Sequence, residues 1–265
     1  MKIGFIGTGN MGTALINGLI NSDFVTANDI YAYDVSYDKL LKLKDELSIN
    51  ISKSNVDVTN ECDVIILAVK PNLYDSILEE IKNDVDENKI IIIIAPGISI
   101  DHVKSILQKG KIVRTIPNTP ALIGEGITAI SYPEDMSSRD KEIVEKIFKS
   151  CGEIVEIKEN LIDAAMAISS CSPAYVYMFV EALSDAGVSL GLPRDVAYKL
   201  SSKAVSGSGS MVLKTGFHPG YLKDMVTSPA GTTIQGVRTL EKYGLRSAVF
   251  EAVISSFEKV KGNKQ

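Results

Sequence analysis

Two stretches of the 265-residue chain carry residue types suited to holding anions. The first is Met1–Gly12, MKIGFIGTGNMG, in which Gly7, Gly9 and Gly12 form G-x-G-x-x-G. The apolar run Ile3, Phe5, Ile6 precedes the glycines and the helical pattern of Thr13–Ile20 follows them. Strand, glycine turn and helix is the setting in which this motif holds a dinucleotide. Gly7 permits the tight turn, Gly9 lets a pyrophosphate reach the backbone, and Gly12 lets the helix lie close to the strand. The phosphates then meet free N–H groups at a helix N-terminus, where the dipole favours an anion. Gly7, Thr8, Gly9, Asn10, Met11 and Gly12 are therefore the candidate cofactor cradle. The second stretch is Val226–Thr233, VTSPAGTT, where Ser228, Thr232 and Thr233 place three hydroxyls just before a helical pattern. Pro229 and Gly231 shape its backbone. Such a loop suits a small anion, most naturally a carboxylate; the plain alternative is an ordinary helix N-cap.

Three further positions lie where strands should end. Asp34 closes the second expected strand, about twenty residues after the glycines, where an acidic residue takes the adenosine ribose hydroxyls of NAD and repels the 2′-phosphate of NADP. The plain alternative is a cap for the following helix. Ala68, Val69, Lys70 and Pro71 follow the fourth strand, on the rim where open parallel sheets bind ligands. Lys70 is expected at the cleft lip, or else as a solvated lysine. Asn118 can both donate and accept, which suits a carboxamide such as that of nicotinamide. There are only two histidines, His102 and His218, which argues against a histidine triad and a metal site. Cys62, Cys151 and Cys171 are odd in number and widely spaced, as in a reducing cytoplasm rather than a disulfide framework.

These residues need a scaffold, and the pattern supplies one. Strand signals recur at Lys2–Gly7, Ile30–Asp34, Ile49–Ser52, Asp63–Val69, Ile90–Ala95, Lys111–Ile116, Ile127–Tyr132 and Glu153–Ile157. Amphipathic stretches such as Tyr37–Leu47, Leu73–Asp84, Asp101–Lys109 and Ser138–Ser150 separate them. Near-continuous Ile and Val runs fit strands covered on both faces, so residues 1–159 read as a Rossmann-type, doubly wound α/β domain. From about Asn160 the strand signals stop. Residues 160–265 read as an all-helical domain: Leu161–Leu190 with a bend expected near Ser172-Pro173, then Pro193–Lys214, Pro219–Thr227, Thr232–Lys242 and Leu245–Lys261, with a frayed tail at Lys261–Gln265. The long first helix is apolar on several faces, which a homodimer sharing helices would bury.

Composition narrows the classes. At 45% apolar and 23% charged residues the chain is globular, and a net charge of −5 offers no field for nucleic acid or anionic lipid. The longest apolar run, from Ile90 to Pro96, is far too short for a membrane span, and glycines interrupt the start where a signal peptide would need its apolar core. A cytoplasmic protein is expected.

GTGNMG, AVKP at 68–71, RTIPNTPALIGEG at 114–126, SPAY at 172–175, HPGYLKDMVTSPAGTT at 218–233 and TLEKYGLRSAVFEAV at 239–253 occur in order along the chain. Through them the sequence resembles the pyrroline-5-carboxylate reductase family over essentially its whole length. The resemblance implies a Rossmann domain followed by a helical dimerisation domain, with dimers that often assemble into rings. It implies reduction of 1-pyrroline-5-carboxylate to L-proline with NADPH or NADH, without metal. Gly7–Gly12, Lys70, Pro71 and Asn118 would face the cofactor. Ser228, Gly231, Thr232 and Thr233 would hold the substrate carboxylate, with Thr233 also near the imine nitrogen as the catalytic residue. Three departures stand out: Ser170 and Ser172 replace glycines of the usual G-S-G-P-A-Y, Ala230 stands in the commoner S-P-G-G, and Asp34 sits where NADPH-preferring members often carry a neutral or basic residue. A reductase for six-membered cyclic imines and a non-catalytic nucleotide-binding paralogue are the alternatives. A β-hydroxyacid dehydrogenase would need a lysine on the first long helix, whereas Lys199 and Lys203 lie on the next.

Overall fold

The structure is a computed structural model that describes residues 1–262. The end of the expected polar tail, from residue 263, lies outside the described residues. By its internal contacts the chain divides into one unit of Met1–Cys171 with the stretch from Ser256, and a second of Ser172–Ser255.

The first unit is built on eight strands: β1 (Ile3–Ile6), β2 (Ile30–Tyr33), β3 (Asn50–Ile51), β4 (Val64–Leu67), β5 (Ile90–Ile93), β6 (Lys111–Ile116), β7 (Gly126–Ser131) and β8 (Gly152–Glu156). They form one sheet in the order β3-β2-β1-β4-β5-β6-β7-β8. Its helices are α1 (Asn10–Asn21), α2 (Tyr37–Leu47), α3 (Asn55–Glu61), α4 (Tyr74–Ile81), α5 (Ile100–Leu107), α6 (Ser138–Lys149) and α7 (Ile162–Ser169).

The Ile-rich runs are strands because both of their faces are covered. Val64 and Ile66 pack with Leu15, Leu19 and Phe148 on one side, while Ile65 and Leu67 pack with Tyr74, Leu78 and Val103 on the other. Ile90 and Ile92 divide from Ile91 and Ile93 in the same way. A strand's period of two thus turns an unbroken apolar run into two cores. The strand order, not the strand direction, reverses between β1 and β4, so the crevice outside their carboxyl ends is the switch point where such sheets bind ligands.

The sheet is not wholly parallel. β6 and β7 run antiparallel, Arg114 opposite Ser131. The link between them is only a short 3-10 turn at Thr119–Ile123, too short for the crossover a parallel pair requires. α3 is a helix that the sequence pattern does not mark. Its polar run NVDVTNE gives no apolar stripe, although Ser54 caps it by accepting from the Asp57 N–H at 3.0 Å.

The second unit is helical: α8 (Ser172–Ser189), α9 (Arg194–Thr215), α10 (Pro219–Met225), α11 (Thr232–Lys242) and the greater part of α12 (Leu245–Gly262). The expected long first helix is two, α7 and α8, interrupted at Ser170-Cys171. In the single chain Ser184 is the buried residue of α8 and Ala197 that of α9. Tyr177, Met178, Leu183, Leu200, Leu213 and Phe250 are exposed. A helical surface this apolar is what a partner interface leaves open. Among the described residues no helix is long and apolar enough to cross a membrane.

Candidate active site

The glycine turn follows β1 at the switch point. Gly7 has φ +96°, and a Cβ there would come within 2.6 Å of the Ala68 carbonyl oxygen. A Cβ on Gly12 would lie 2.6 Å from the Gly7 carbonyl oxygen, so only glycine lets α1 start this close to the turn. A Cβ on Gly9 would meet nothing within 4 Å. Two glycines are thus needed by the protein's own packing, and the middle one faces open space. That is the cradle a pyrophosphate requires.

α1 is left open for an anion. Its N-cap is Gly9, no side chain caps it, and its first turn holds no acidic residue. Two other helices of the unit contrast: α5 and α6 are each capped by a serine hydroxyl, Ser99 and Ser137, and each has an aspartate in the first turn. The exposed end of the α1 dipole is therefore not spent within the chain.

Beside the turn lies a cavity of about 480 Å³. It brings together Gly7, Gly9, Asp34, Ala68, Val69 and Lys70. Lys70 is exposed and precedes a 3-10 turn, Pro71–Leu73, so Pro71 carries the chain away from the lip. Asn55 and Glu80, which the sequence reading passed over, also line the cavity, with the Asn55 amide donating to Glu80 at 2.8 Å. The Ser54-to-Asp57 capping spacing was the signal that could have found Asn55. A larger groove of about 1130 Å³ lies elsewhere on the unit. Lysines 104, 141 and 158 there face carboxylates at 101, 134, 135, 156 and 159, with no glycine turn among them.

The rim loops are held from beneath. Fully buried Tyr74 donates its hydroxyl to the Leu67 carbonyl at 2.6 Å and accepts from the Ile94 N–H at 3.4 Å, joining the ends of β4 and β5. Burial pushes its pKa well up, so the hydroxyl stays neutral and can donate.

Asn118 is not among the residues lining the cavity. It is 7% exposed, its Oδ1 accepts from the Ile127 N–H at 3.0 Å and its Nδ2 donates to the Ser169 carbonyl at 3.0 Å. The amide thus ties the strand-end loop to the end of α7. Ser170, at one of the departures, adds a second tie by donating to the Pro117 carbonyl at 3.0 Å. α7 is in turn anchored by Arg114 on β6. Its Nη2 lies 2.5 Å from Asp163 Oδ1 and its Nη1 3.5 Å from Glu159 Oε1. Glu159 Oε1 also accepts from the Ile100 N–H at 2.7 Å.

In the second unit, residues 228–233 form a turn into α11, with the Gly231 N–H donating to the Ser228 carbonyl at 3.0 Å. A Cβ on Gly231 would displace the Ser228 hydroxyl and lie 3.1 Å from the Ser228 carbonyl oxygen, so the turn is close-packed there. α11 repeats the α1 arrangement: its N-cap is glycine, no side chain caps it, and its first turn has no acid. Gly9 and Gly231 even share backbone geometry, φ −68°, ψ −172° against φ −72°, ψ 174°. Thr232 and Thr233 open the helix and add hydroxyls to its free N–H groups.

Ala230 pays for its departure with φ +57°, in the left-handed region. That conformation costs an L-residue roughly 1–2 kcal/mol, part of which glycine's larger unfolded-state freedom returns. Ala230→Gly is accordingly expected to stabilise the protein by about 0.5–1 kcal/mol, read from urea midpoints. An unchanged or lower midpoint would show the strain to be absent.

Both histidines have partners within their own units: His102 Nε2 lies 2.6 Å from Asp75, and His218 Nδ1 accepts from the Gly220 N–H at 3.0 Å to cap α10. Among the described residues no group of His, Cys, Asp and Glu could hold a metal ion.

Comparison with known proteins agrees along the chain. The family described as pyrroline-5-carboxylate reductase dimerisation matches residues 159–262, and that described as NADP oxidoreductase, coenzyme F420-dependent, matches residues 2–97. The chain is 44% identical to pyrroline-5-carboxylate reductase of Escherichia coli K12, over 97% of this chain and 96% of that one. It is 41% identical to the enzyme of that name from Methanosarcina acetivorans, over 98% and 97%. The crystal structure of Plasmodium falciparum pyrroline carboxylate reductase with NADP bound superposes with a TM-score of 0.91 at 38% identity, covering 100% of this chain and 98% of that one. A glycine turn on a doubly wound sheet, followed by a helical dimerisation unit, defines an NAD(P)H-dependent oxidoreductase. Within that class, the chain belongs to the pyrroline-5-carboxylate reductase family.

Proposed function

We propose that the protein reduces the C=N bond of 1-pyrroline-5-carboxylate to give L-proline, using NADPH or NADH. The observation that carries this reading is the pair of open helix N-termini. α1 and α11 are both glycine-capped and free of first-turn acids, one suited to a pyrophosphate and the other to a carboxylate.

Gly7–Gly12 hold the cofactor phosphates, with Ala68, Val69, Lys70 and Pro71 on the rim. Asn118 acts behind that rim by fixing the loop that follows β6. Bound NAD(P)H supplies the hydride that reduces the imine carbon. The chain's own residues orient and desolvate. Ser228, Gly231, Thr232 and Thr233 hold the substrate carboxylate through hydroxyl and N–H donors. A protonated imine is already electrophilic, so no nucleophile or metal is required of the protein. The Thr233 hydroxyl faces the ring nitrogen and guides its proton. Residues 160–265 serve as the dimerisation and substrate domain. The protein works as a homodimer that covers the apolar faces of α8 and α9, and such dimers assemble into a ring. It resides in the cytoplasm.

Thr233→Ala tests the substrate assignment. Removing one oriented donor costs about 1–3 kcal/mol of transition-state binding, roughly tenfold to a hundredfold in kcat/KM for the imine. The dissociation constant for NADPH or NADH should stay the same. Steady-state rates equal to the wild type would take Thr233 out of the reaction.

A further inference from the structure

The end of β2 carries an arrangement that a ribose-binding aspartate does not need. Asp34 Oδ2 accepts both the Thr8 N–H, at 2.8 Å, and the Thr8 hydroxyl, at 3.1 Å. Its Oδ1 accepts the Ser36 N–H at 2.9 Å. A carboxylate offers about four acceptor positions, so most of this one is spent inside the protein. Burial opposes its charge, but the donors of Ser36 and Thr8, with Lys39 nearby, outweigh that and hold the carboxyl below its ordinary value.

Thr8 is the residue between the first two glycines of the turn, and it is 6% exposed. It is gripped on both sides. Asp34 takes its N–H and hydroxyl, while its carbonyl accepts the Thr13 hydroxyl at 3.2 Å. The adjoining Gly7 N–H donates to the Tyr33 carbonyl at 2.8 Å. Every internal bond that fixes Thr8 therefore also sets the direction of the peptide leading into Gly9, where the backbone meets open space. At the same strand end Val35 is 92% exposed, and Lys39 sets a positive charge against that of Asp34. The net field there does not single out a 2′-phosphate for rejection.

We propose that Asp34 is a positioning residue that serves the cofactor through Thr8, fixing the pyrophosphate cradle for NADH and NADPH alike rather than choosing between them. The proposal rests on the reading of this unit as the NAD(P)H site. It replaces the expectation that Asp34 takes the ribose hydroxyls and excludes NADP.

The test is fluorescence titration of NADH and NADPH into the wild-type protein and into Asp34→Asn, Asp34→Ala and Thr8→Ala, each checked for native circular dichroism. A charge-assisted bond lost from the cradle should weaken both cofactors about tenfold in either Asp34 variant, with the ratio of their dissociation constants moving less than about threefold. Thr8→Ala should shift both cofactors the same way by a smaller factor. With cofactor saturating, kcat should hold within about twofold while the cofactor KM rises. A ratio shifted about tenfold toward NADPH in Asp34→Asn would overturn the proposal, because the carboxylate would then be facing the ribose. Unchanged affinity for both cofactors would overturn it equally. A wild-type protein that binds neither would remove the site reading itself, and the proposal with it. Binding of both without imine reduction would remove only the activity, leaving the comparison of ratios decisive.

Discussion

Replacing Arg114 by methionine is expected to cost the fold about 3–5 kcal/mol, the largest single loss anticipated for this protein. Arg114 is 2% exposed and Asp163 is 7% exposed, with 2.5 Å between Nη2 and Oδ1. Methionine fills much of the arginine stem's volume, so the loss is electrostatic rather than a cavity. The Asp163 carboxylate would stay buried without the guanidinium that neutralises it. Glu159 would lose the same charge at 3.5 Å. A paired variant, Arg114→Met with Asp163→Leu, should recover most of the loss, because replacing a buried ion pair by apolar groups is often nearly neutral. Urea denaturation of the two variants separates the cases. If the single variant loses under about 1 kcal/mol, the pair is not what anchors α7 to β6.

The second large effect is expected at Gly12. Gly12→Ala introduces only a methyl group and improves helix propensity, so by local preference it should stabilise α1. The structure predicts the opposite for function. The new Cβ would stand 2.6 Å from the Gly7 carbonyl oxygen and 3.3 Å from the Ala68 Cβ. Backbone on one side and a rim residue on the other leave α1 no way to absorb the methyl except by moving off the turn. The N–H groups of its first turn then no longer converge on one point. NADPH and NADH binding should weaken at least about a hundredfold, near 2.7 kcal/mol, while circular dichroism stays native. Isothermal titration with wild-type affinity would mean that the turn does not hold the phosphates.

How much of this was legible in the sequence depends on how local each signal is. The central strands stood out, because the two-sided burial of runs such as Val64–Leu67 leaves no polar alternation to misread, whereas the two-residue, half-buried β3 is only hinted at near Ile49–Ser52. The two glycine-capped helix starts were legible because each motif is contiguous with the helix it opens, the first also with the strand before it. α3 was missed because its seven residues are mostly polar and its cap was not recognised. The reversal at β7 was missed because direction is set by the missing crossover helix, not by anything in the strand itself. Asn118 shows a different limit. Its type suited a carboxamide, but the partners that occupy it, Ile127 and Ser169, are fixed by the fold alone. Asp34 is the same case in sharper form: spacing located it correctly at the strand end, beside the cavity, yet could not show that its carboxylate turns back to Thr8. Ser170, a departure from the glycine expected there, proves to have a use of its own in the bond to Pro117.

Function in this chain requires a dinucleotide cradle to act on an imine carboxylate. The most direct test is to mix the purified protein with 1-pyrroline-5-carboxylate and either NADPH or NADH, following cofactor oxidation while quantifying L-proline. Imine-dependent oxidation is expected, with one proline formed per cofactor consumed. Cofactor binding with no oxidation above the imine-free rate, and no proline, would contradict it.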